Sequence, residues 1–351
     1  MKEHYEVIGV MSGSSLDGLD LAWCDLTVEL GHWNYSIREA TTLAYDRDMR
    51  ARLTAVMDGS ALDLARLHRD LGDLIGNACN EMLHGRTVDL IASHGHTVFH
   101  KPEEGLTTQV GCGARIASAS GTTTVSDFRT MDVARGGQGA PLVPLGERAL
   151  FPDHDIFLNI GGICNVSFHR PGTVTGYDVC IANQALNHLA AEVGQPFDAG
   201  GNIARSGRVM QPLLDQLNDL PLLRKKPRSI GREWFNEVIL PLIGDTRISV
   251  ADRMRTMVAH IAQQCAQETN GTAGDRILVT GGGAHNAFLI EEIRTAIDRT
   301  LVVPDERTVN YKEALVFALL GVLRMRREVN TLASVTGAWH DSIGGAVHRA
   351  N

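Results

Sequence analysis

The sequence predicts an α/β protein of two lobes that open on the same plan. A chain of 351 residues with 44% hydrophobic content and 36 glycines exceeds what one typical core accommodates. Short apolar, β-branched runs alternate with longer stretches of helical periodicity, the signature of the α/β class. A strand, glycine turn and strand pattern occurs twice, once near the start and once near residue 160.

The elements follow in order. Tyr5 to Met11 is an apolar run, Ser12-Gly13-Ser14-Ser15-Leu16-Asp17-Gly18 a glycine-bearing turn, and Leu19 to Leu26 a second alternating run. Leu62 to Leu83 has helical apolar spacing, while Val88 to Ala92 and Thr122 to Ser126 are short and strand-like. Asp155 to Ile160, Gly161-Gly162 and Ile163 to Phe168 repeat the opening hairpin, as a duplicated lobe or an ordinary hairpin would. Helices are predicted over Asn183 to Glu192 and Ala251 to Gln267, then a strand over Arg276 to Thr280 that ends in Gly281-Gly282-Gly283. A further helix follows Asn286, and the last, Tyr311 to Arg327, is basic at its C-terminus as the helix dipole favours.

Composition narrows the function. With 41 acidic and 33 basic residues, and only five lysines, the chain carries no sustained basic run, so nucleic acid is not an expected partner. Lys225-Lys226-Pro227-Arg228 reads as a solvated loop. No apolar stretch reaches membrane-spanning length, and the first residues lack a signal-peptide pattern, so a cytoplasmic protein with no membrane partner is expected. The six cysteines are scattered without a CxxC pair and read as buried thiols.

No GxxxxGK[ST] or GxGxxG pattern is present, which excludes a P-loop NTPase. Backbone N–H groups and the Ser12, Ser14 and Ser15 hydroxyls of the first turn could hold phosphates, with Asp17 on a magnesium-bound water. The same residues would equally serve a plain hairpin turn. Gly281-Gly282-Gly283 sits at a strand-to-helix junction, where three glycines cost entropy that nucleotide contact would justify. His94, His96 and His100 share one face if all lie on a strand; with no CxxC or HExxH nearby, sugar contacts or a packed strand outweigh a metal site. Arg129, with Asp127 and Asp132 beside it, offers bidentate carboxylate binding or an ordinary loop ion pair. Asp178 lies at or near a strand end before the Asn183 helix, a position from which a carboxylate can face a cleft.

The run Gly9 to Asp20, GVMSGSSLDGLD, resembles the MSGTSLDGxD signature of the anhydro-N-acetylmuramic acid kinases. Ser93-His94-Gly95 with Thr97, Val125 to Arg129, Gly136 to Pro144, Asn159 to Gly162, Gly281 to Ala284 with Asn286, Glu313-Ala314-Leu315 and Val335 to Ala338 match in order. The resemblance implies the actin, hexokinase and Hsp70 type of fold: two ribonuclease H-like lobes around a cleft for ATP and Mg²⁺. It also implies a tail that returns to the first lobe, giving lobes of 1–135 plus 330–351 and 136–329. By the same resemblance Gly13, Ser14, Ser15, Leu16, Asp17, Gly18, Leu19 and Asp20 line the ATP phosphates, with Asp17 toward the metal. Gly161 and Gly162 form the second phosphate turn, Gly281, Gly282 and Gly283 approach adenosine, and Asp178 is the catalytic aspartate. His96, Arg129, Asp132 and Glu313 are expected on the sugar, and a homodimer is expected.

The family reaction opens a 1,6-anhydro sugar and phosphorylates O6 during cell-wall recycling, with Asp178 activating water. An ordinary sugar kinase and an inactive nucleotide-binding paralogue are the other readings. The sequence departs from the family where Asp-Thr-Gly-Pro-Gly-Asn is usual: it reads Asp178-Val179-Cys180-Ile181-Ala182-Asn183. His96 also replaces a common Gln, Ser14 a Thr, and Cys112 an Asp.

Overall fold

The computed structural model describes residues 2–13, 16–170 and 173–350. The chain divides into two compact units, Met1–Pro152 with Tyr311–Asn351, and Asp153–Asn310.

In the first unit, β1 (His4–Ser12), β2 (Gly18–Glu29) and β3 (His32–Ala44) form an antiparallel meander. β4 (Leu90–Ser93) then pairs parallel to β1, with β5 (His96–Lys101) and β6 (Leu106–Val110) as a separate hairpin. β7 (Thr124–Ser126) pairs parallel to β4. β1 is central and nearly continuously apolar, with Val7, Ile8 and Val10 inaccessible to solvent, as a strand covered on both faces must be. The Ala61–Leu83 helix opens on a Ser60–Asp63 capping box and buries Leu67, Leu71, Ile75, Cys79 and Met82, its (i, i+4) stripe, in the core beside β1 and β2.

In the second unit, β8 (Ile156–Ile160), β9 (Ile163–Arg170) and β10 (Thr173–Ile181) form the same meander. β11 (Arg276–Thr280) pairs parallel to β8 and β12 (Thr300–Val302) parallel to β11. The Val250–Thr269 helix, capped by Ser249, packs Met254, Met257, Val258, Ile261 and Cys265 into this core. The chain then returns to the first unit, where β13 (Ala346–His348) joins the edge of its sheet at β7.

Both sheets therefore carry one topology: the third, second, first, fourth and fifth strands side by side, with only the second antiparallel to its neighbours. This is the ribonuclease H-like, actin-type plan in duplicate, and the repeated hairpins of the sequence are its visible part. The tail belongs with the first unit, but the divisions fall after Pro152 and Asn310 rather than after residues 135 and 329. The Val143–Leu150 helix packs in the first unit, its Glu147 pairing with Lys312 at 2.6 Å. The last helix runs from Glu306 to Arg326 and is interrupted at Tyr311, whose φ of −119° coincides with the unit boundary. Among the described residues no helix is long and apolar enough to cross a membrane.

Candidate active site

Asp178 lies within β10, three residues before the strand ends at Ile181. The ladder to β9 jumps there: Asp178 opposes Asn165 and Cys180 opposes Cys164, leaving Val179 as an extra, unpaired residue. Such a bulge re-aims the neighbouring side chain. The Asp178 N–H donates to the Arg228 carbonyl at 3.1 Å, and the Ile230 N–H donates to Asp178 Oδ2 at 2.8 Å. No hydrogen bond engages Oδ1 among the described residues. Burial raises the Asp178 carboxyl above its ordinary value, against the opposing pull of the Ile230 N–H and the Arg228 charge.

Gly161 and Gly162 form the turn between β8 and β9. Their carbonyls are occupied: Asn183 N–H donates to Gly161, and Ala182 and Gln184 N–H donate to Gly162. The first donors of the Asn183–Ala191 helix are thus spent on the turn, so that helix start is not an open anion site. The turn is rigidly seated, and Asn183 Nδ2 adds a bond to the Ile160 carbonyl at 3.0 Å.

The three glycines after β11 have different tasks. A Cβ on Gly283 would stand 2.3 Å from Ile160 Cγ2, and one on Gly281, whose φ is +84°, 2.6 Å from Asn159 Oδ1. Both are demanded by packing against the end of β8. At Gly282 the nearest atom would be Asn183 Nδ2 at 3.7 Å, so this glycine leaves open space. It lines a cavity of about 470 Å³ in the second unit with Asn183, Asp198, His285, Glu306 and Asn310 as polar walls and Leu186 and Phe197 as apolar ones. An apolar wall with a few polar groups is the composition of a ligand site.

In the first unit Asp17 is exposed on the turn and Asp20 half-buried on β2. Burial raises the Asp20 carboxyl, the Thr42 hydroxyl bond at 2.6 Å lowers it, and the charge of Asp17 raises it further. Two neighbouring carboxylates with no cationic partner among the described residues would suit Mg²⁺ held jointly with phosphates and water. Among the described residues no group of three His, Cys, Asp or Glu side chains forms a self-sufficient metal cage. Gly13 and Leu16 bracket the turn, while Ser14 and Ser15 lie outside the described residues. Leu19 and Gly18 are held by packing, so any phosphate contact from them would come from the backbone. Leu19 is a fully buried core side chain, and Gly18 is pressed against the Leu43 backbone of β3. Ser12 is likewise committed, its Oγ lying 2.6 Å from Tyr45 Oη and 2.9 Å from His96 Nδ1. Tyr45 is pushed up to about 12 by burial and the Asp20 charge, the Ser12 bond opposing.

The three histidines do not share a face. His94 precedes β5, and the β5–β6 ladder shifts register between Thr97 and Phe99, which separates His96 from the exposed His100. His94 Nδ1–H donates to Gly95 O at 2.8 Å, and Nε2 accepts from Arg129 Nε at 2.8 Å. Burial and the Arg129 charge hold this imidazole well below its usual range, hence neutral. Burial also lowers His96. Arg129 Nη1 donates to Gly139 O at 2.6 Å, so among the described residues its hydrogen-bond partners are neutral acceptors rather than carboxylates. Burial lowers this guanidinium to about 10, with the charge of Glu313 pulling upward. Glu313 keeps solvent access, yet the protein crowded around it raises its carboxyl; Lys312 and Arg129 lower it, while Asp20 and Glu147 raise it.

Asp132 has a task other than the sugar contact expected of it. It is inaccessible to solvent; Oδ2 accepts the Gly139 N–H at 2.7 Å and Oδ1 the Thr336 hydroxyl at 2.8 Å. It ties the GGQGAP loop to the Val335–Ala338 segment and offers nothing to a ligand.

A family model described as anhydro-N-acetylmuramic acid kinase matches residues 5–350. The chain belongs to the anhydro-N-acetylmuramic acid kinase family. It is 35% identical to the anhydro-N-acetylmuramic acid kinase of Xanthomonas oryzae pv. oryzae, over 98% of this chain and 97% of that one. It is 35% identical to that of Vibrio cholerae, over 96% of each chain, and 32% to that of Gloeobacter violaceus, over 98% of each. Among solved structures, the activator of the 2-hydroxyisocaproyl-CoA dehydratase from Clostridium difficile is 12% identical with a TM-score of 0.45, covering 92% of this chain and 96% of that one.

As a member of the anhydro-N-acetylmuramic acid kinases, a family of phosphotransferases, the protein is an enzyme. The residues that replace the usual Thr-Gly-Pro-Gly after the aspartate, Val179, Cys180, Ile181 and Ala182, are all inaccessible core. Val179 is the bulge residue that orients the carboxylate, Cys180 and Ile181 continue β10, and Ala182 precedes the Asn183–Ala191 helix. Arg228 and Glu268, which surround that bulge, carry no local sequence signal, the basic run at 225–228 having the composition of a surface loop.

Proposed function

We propose that the protein is an ATP-dependent kinase that opens the 1,6-anhydro bridge of anhydro-N-acetylmuramic acid with water and phosphorylates O6, giving N-acetylmuramic acid 6-phosphate. The observation that carries the reading is the Asp178 carboxylate, one oxygen fixed by the Ile230 N–H and the other without a hydrogen bond among the described residues, on a family match that spans nearly the whole chain. Burial keeps this carboxyl a better base than a solvated aspartate, as general-base work requires.

In this reading Asp178 takes a proton from water as the water oxygen bonds to C1. The C1–O6 bond breaks, O6 carries its electron pair to the γ-phosphorus of ATP, and the bond to the β,γ-bridging oxygen breaks to release ADP. Hydrolytic glycosidases use a second carboxyl to protonate the departing oxygen; here the phosphoryl group takes that place, so one base suffices. The nucleotide would occupy the cavity beside Gly282, whose missing side chain leaves room for it. Asp17 and Asp20 would hold Mg²⁺, which when bound offsets the phosphate charge.

Arg129 would bind the lactyl carboxylate. A largely buried guanidinium bonded to neutral acceptors gains most from an anionic ligand, and its remaining donors match a carboxylate fork. Glu313 would accept from a sugar hydroxyl, and His96, anchored at Nδ1 by Ser12, would contact the sugar through Nε2.

Steady-state ATP consumption with anhydro-N-acetylmuramic acid, simple hexoses and amino sugars tests the reading. Stimulation by the anhydro sugar alone is expected. Equal stimulation by ordinary hexoses would favour a hydroxyl-directed sugar kinase, and normal Mg-ATP binding without stimulation by any sugar would mark an inactive paralogue.

A further inference from the structure

Behind Asp178 lies a charged cluster that the proposed reaction does not use. Arg228 and Glu268 side chains are wholly inaccessible to solvent, and Arg228 Nη2 donates to Glu268 Oε1 at 2.8 Å. Glu268, near the end of the Val250–Thr269 helix, also accepts from Tyr177 Oη at 2.7 Å and from Lys226 Nζ at 2.6 Å. A buried ion pair seldom adds net stability over an apolar replacement, so its presence needs another reason.

The reason is in what the guanidinium holds. Arg228 directs Nε and Nη2 to the carbonyl of Val179, at 3.2 and 2.7 Å, and Nη1 to the carbonyls of Leu223 and Lys225, both at 3.0 Å. With the bond to Glu268, all five of its donors are used. Val179 is the residue that the bulge leaves without a ladder partner on β9, so its buried carbonyl would otherwise be costly. From the same segment, the Arg228 carbonyl accepts the Asp178 N–H, and the Ile230 N–H fixes the carboxylate. Residues 228–230 thus grip the bulge on both sides of the aspartate.

We propose that Arg228, locked by Glu268, is a positioning residue that holds the bulge at Val179 and thereby aims the Asp178 carboxylate. The inference rests on the reading of Asp178 as the base. It also explains how this chain dispenses with the flexible Gly-Pro-Gly turn: the geometry that a glycine turn would supply through the backbone is imposed by a side chain. The charged or titratable groups around Asp178 are Arg228 and Lys226 on the facing segment, Glu268 and Cys265 on the Val250–Thr269 helix, Tyr177 and Cys180 on β10, and Cys164 on β9. All three thiols are buried; the hydrogen bond to Cys265 and burial raise Cys164, and burial raises Cys180, so both stay protonated and Arg228 and Glu268 set the local field.

The test measures kcat, both KM values and the pH profile of kcat for Arg228→Met, Arg228→Lys and Glu268→Gln. Misplacing the base should lower kcat by about 10- to 100-fold in both Arg228 variants, with KM for ATP unchanged. Loss of the positive charge in Arg228→Met should raise the pH of the acid limb. Arg228→Lys should leave that limb in place, and Glu268→Gln, which unmasks the Arg228 charge, should lower it. Opposite shifts of one limb are not produced by general loosening. In the Asp178→Asn background none of the three should lower the residual rate further. Parent-like kcat and pH profiles in folded variants would overturn the proposal while leaving the base assignment intact; parent-like activity in Asp178→Asn itself would overturn the base assignment. Folding is read from the thermal shift with Mg-ATP. Should the buried variants fail to fold, Lys226→Met, at a half-exposed side chain, carries the test: it unburdens Glu268 of one cation, and an unmoved acid limb there counts against the proposal.

Discussion

The Ile230 N–H donates to Asp178 Oδ2 at 2.8 Å, so a backbone amide fifty-two residues away in sequence fixes one oxygen of the candidate base. The bond survives replacement of the carboxylate by an amide, whose oxygen can accept in the same place.

Asp178→Asn should therefore fold, keep its Mg-ATP thermal shift and lose turnover by about 10² or more. The stability change has a definite sign. Burial raises the folded-state pKa of Asp178 above its unfolded value, so the folded state binds the extra proton and the parent loses stability as pH rises through that pKa. At neutral pH the Asn variant should be at least as stable as the parent, with its advantage shrinking as pH falls below the folded pKa. Thermal melts from pH 3 to 8 check this; a variant less stable at pH 7 than at pH 4, relative to the parent, would contradict it.

Gly282→Val and Gly283→Ala should separate ligand space from packing. A Cβ at 282 would meet nothing closer than 3.7 Å, so the valine variant should melt near the parent yet show no shift with Mg-ATP. An alanine at 283 collides with Ile160 and should cost about 1–3 kcal/mol whether or not nucleotide is present. Unchanged ATP affinity in Gly282→Val would remove the nucleotide from that cavity.

Arg129→Lys should raise the KM for the anhydro sugar by about tenfold or more, equivalent to about 1.4 kcal/mol, with little change in that for ATP, because an ammonium cannot reproduce the fork. An anhydro sugar lacking the carboxylate should discriminate poorly between parent and variant. An unaltered sugar KM would take the carboxylate away from Arg129.

Asp132→Ala should act on stability. It strands the Gly139 N–H in the interior and leaves the Thr336 hydroxyl only the longer bond to the Leu332 carbonyl, for a cost of about 1–3 kcal/mol in denaturant unfolding. The pH of the acid limb should not move, as it would if Asp132 were the base.

Much of this was legible in the sequence because it is local. Strand alternation marked β1, β2, β8, β9 and β11, and (i, i+4) apolar spacing marked the Ala61–Leu83 and Val250–Thr269 helices. β3 escaped because it is a half-exposed outer strand with charges on its open face, so no apolar run announces it. Asp132 was misassigned because a carboxylate beside an arginine in a loop looks alike whether it faces solvent or two buried donors. The roles of Arg228 and Glu268 depend on contacts forty or more residues apart, which no window of sequence brings together.

The central claim is that water, activated by Asp178, attacks C1 while O6 receives the phosphoryl group. Turnover of anhydro-N-acetylmuramic acid with ATP in ¹⁸O-labelled water, followed by mass spectrometry of the product, tests it most directly. One labelled oxygen at C1 and none in the O6-phosphate linkage is the predicted result. A phosphorylated product without label at C1 would contradict it.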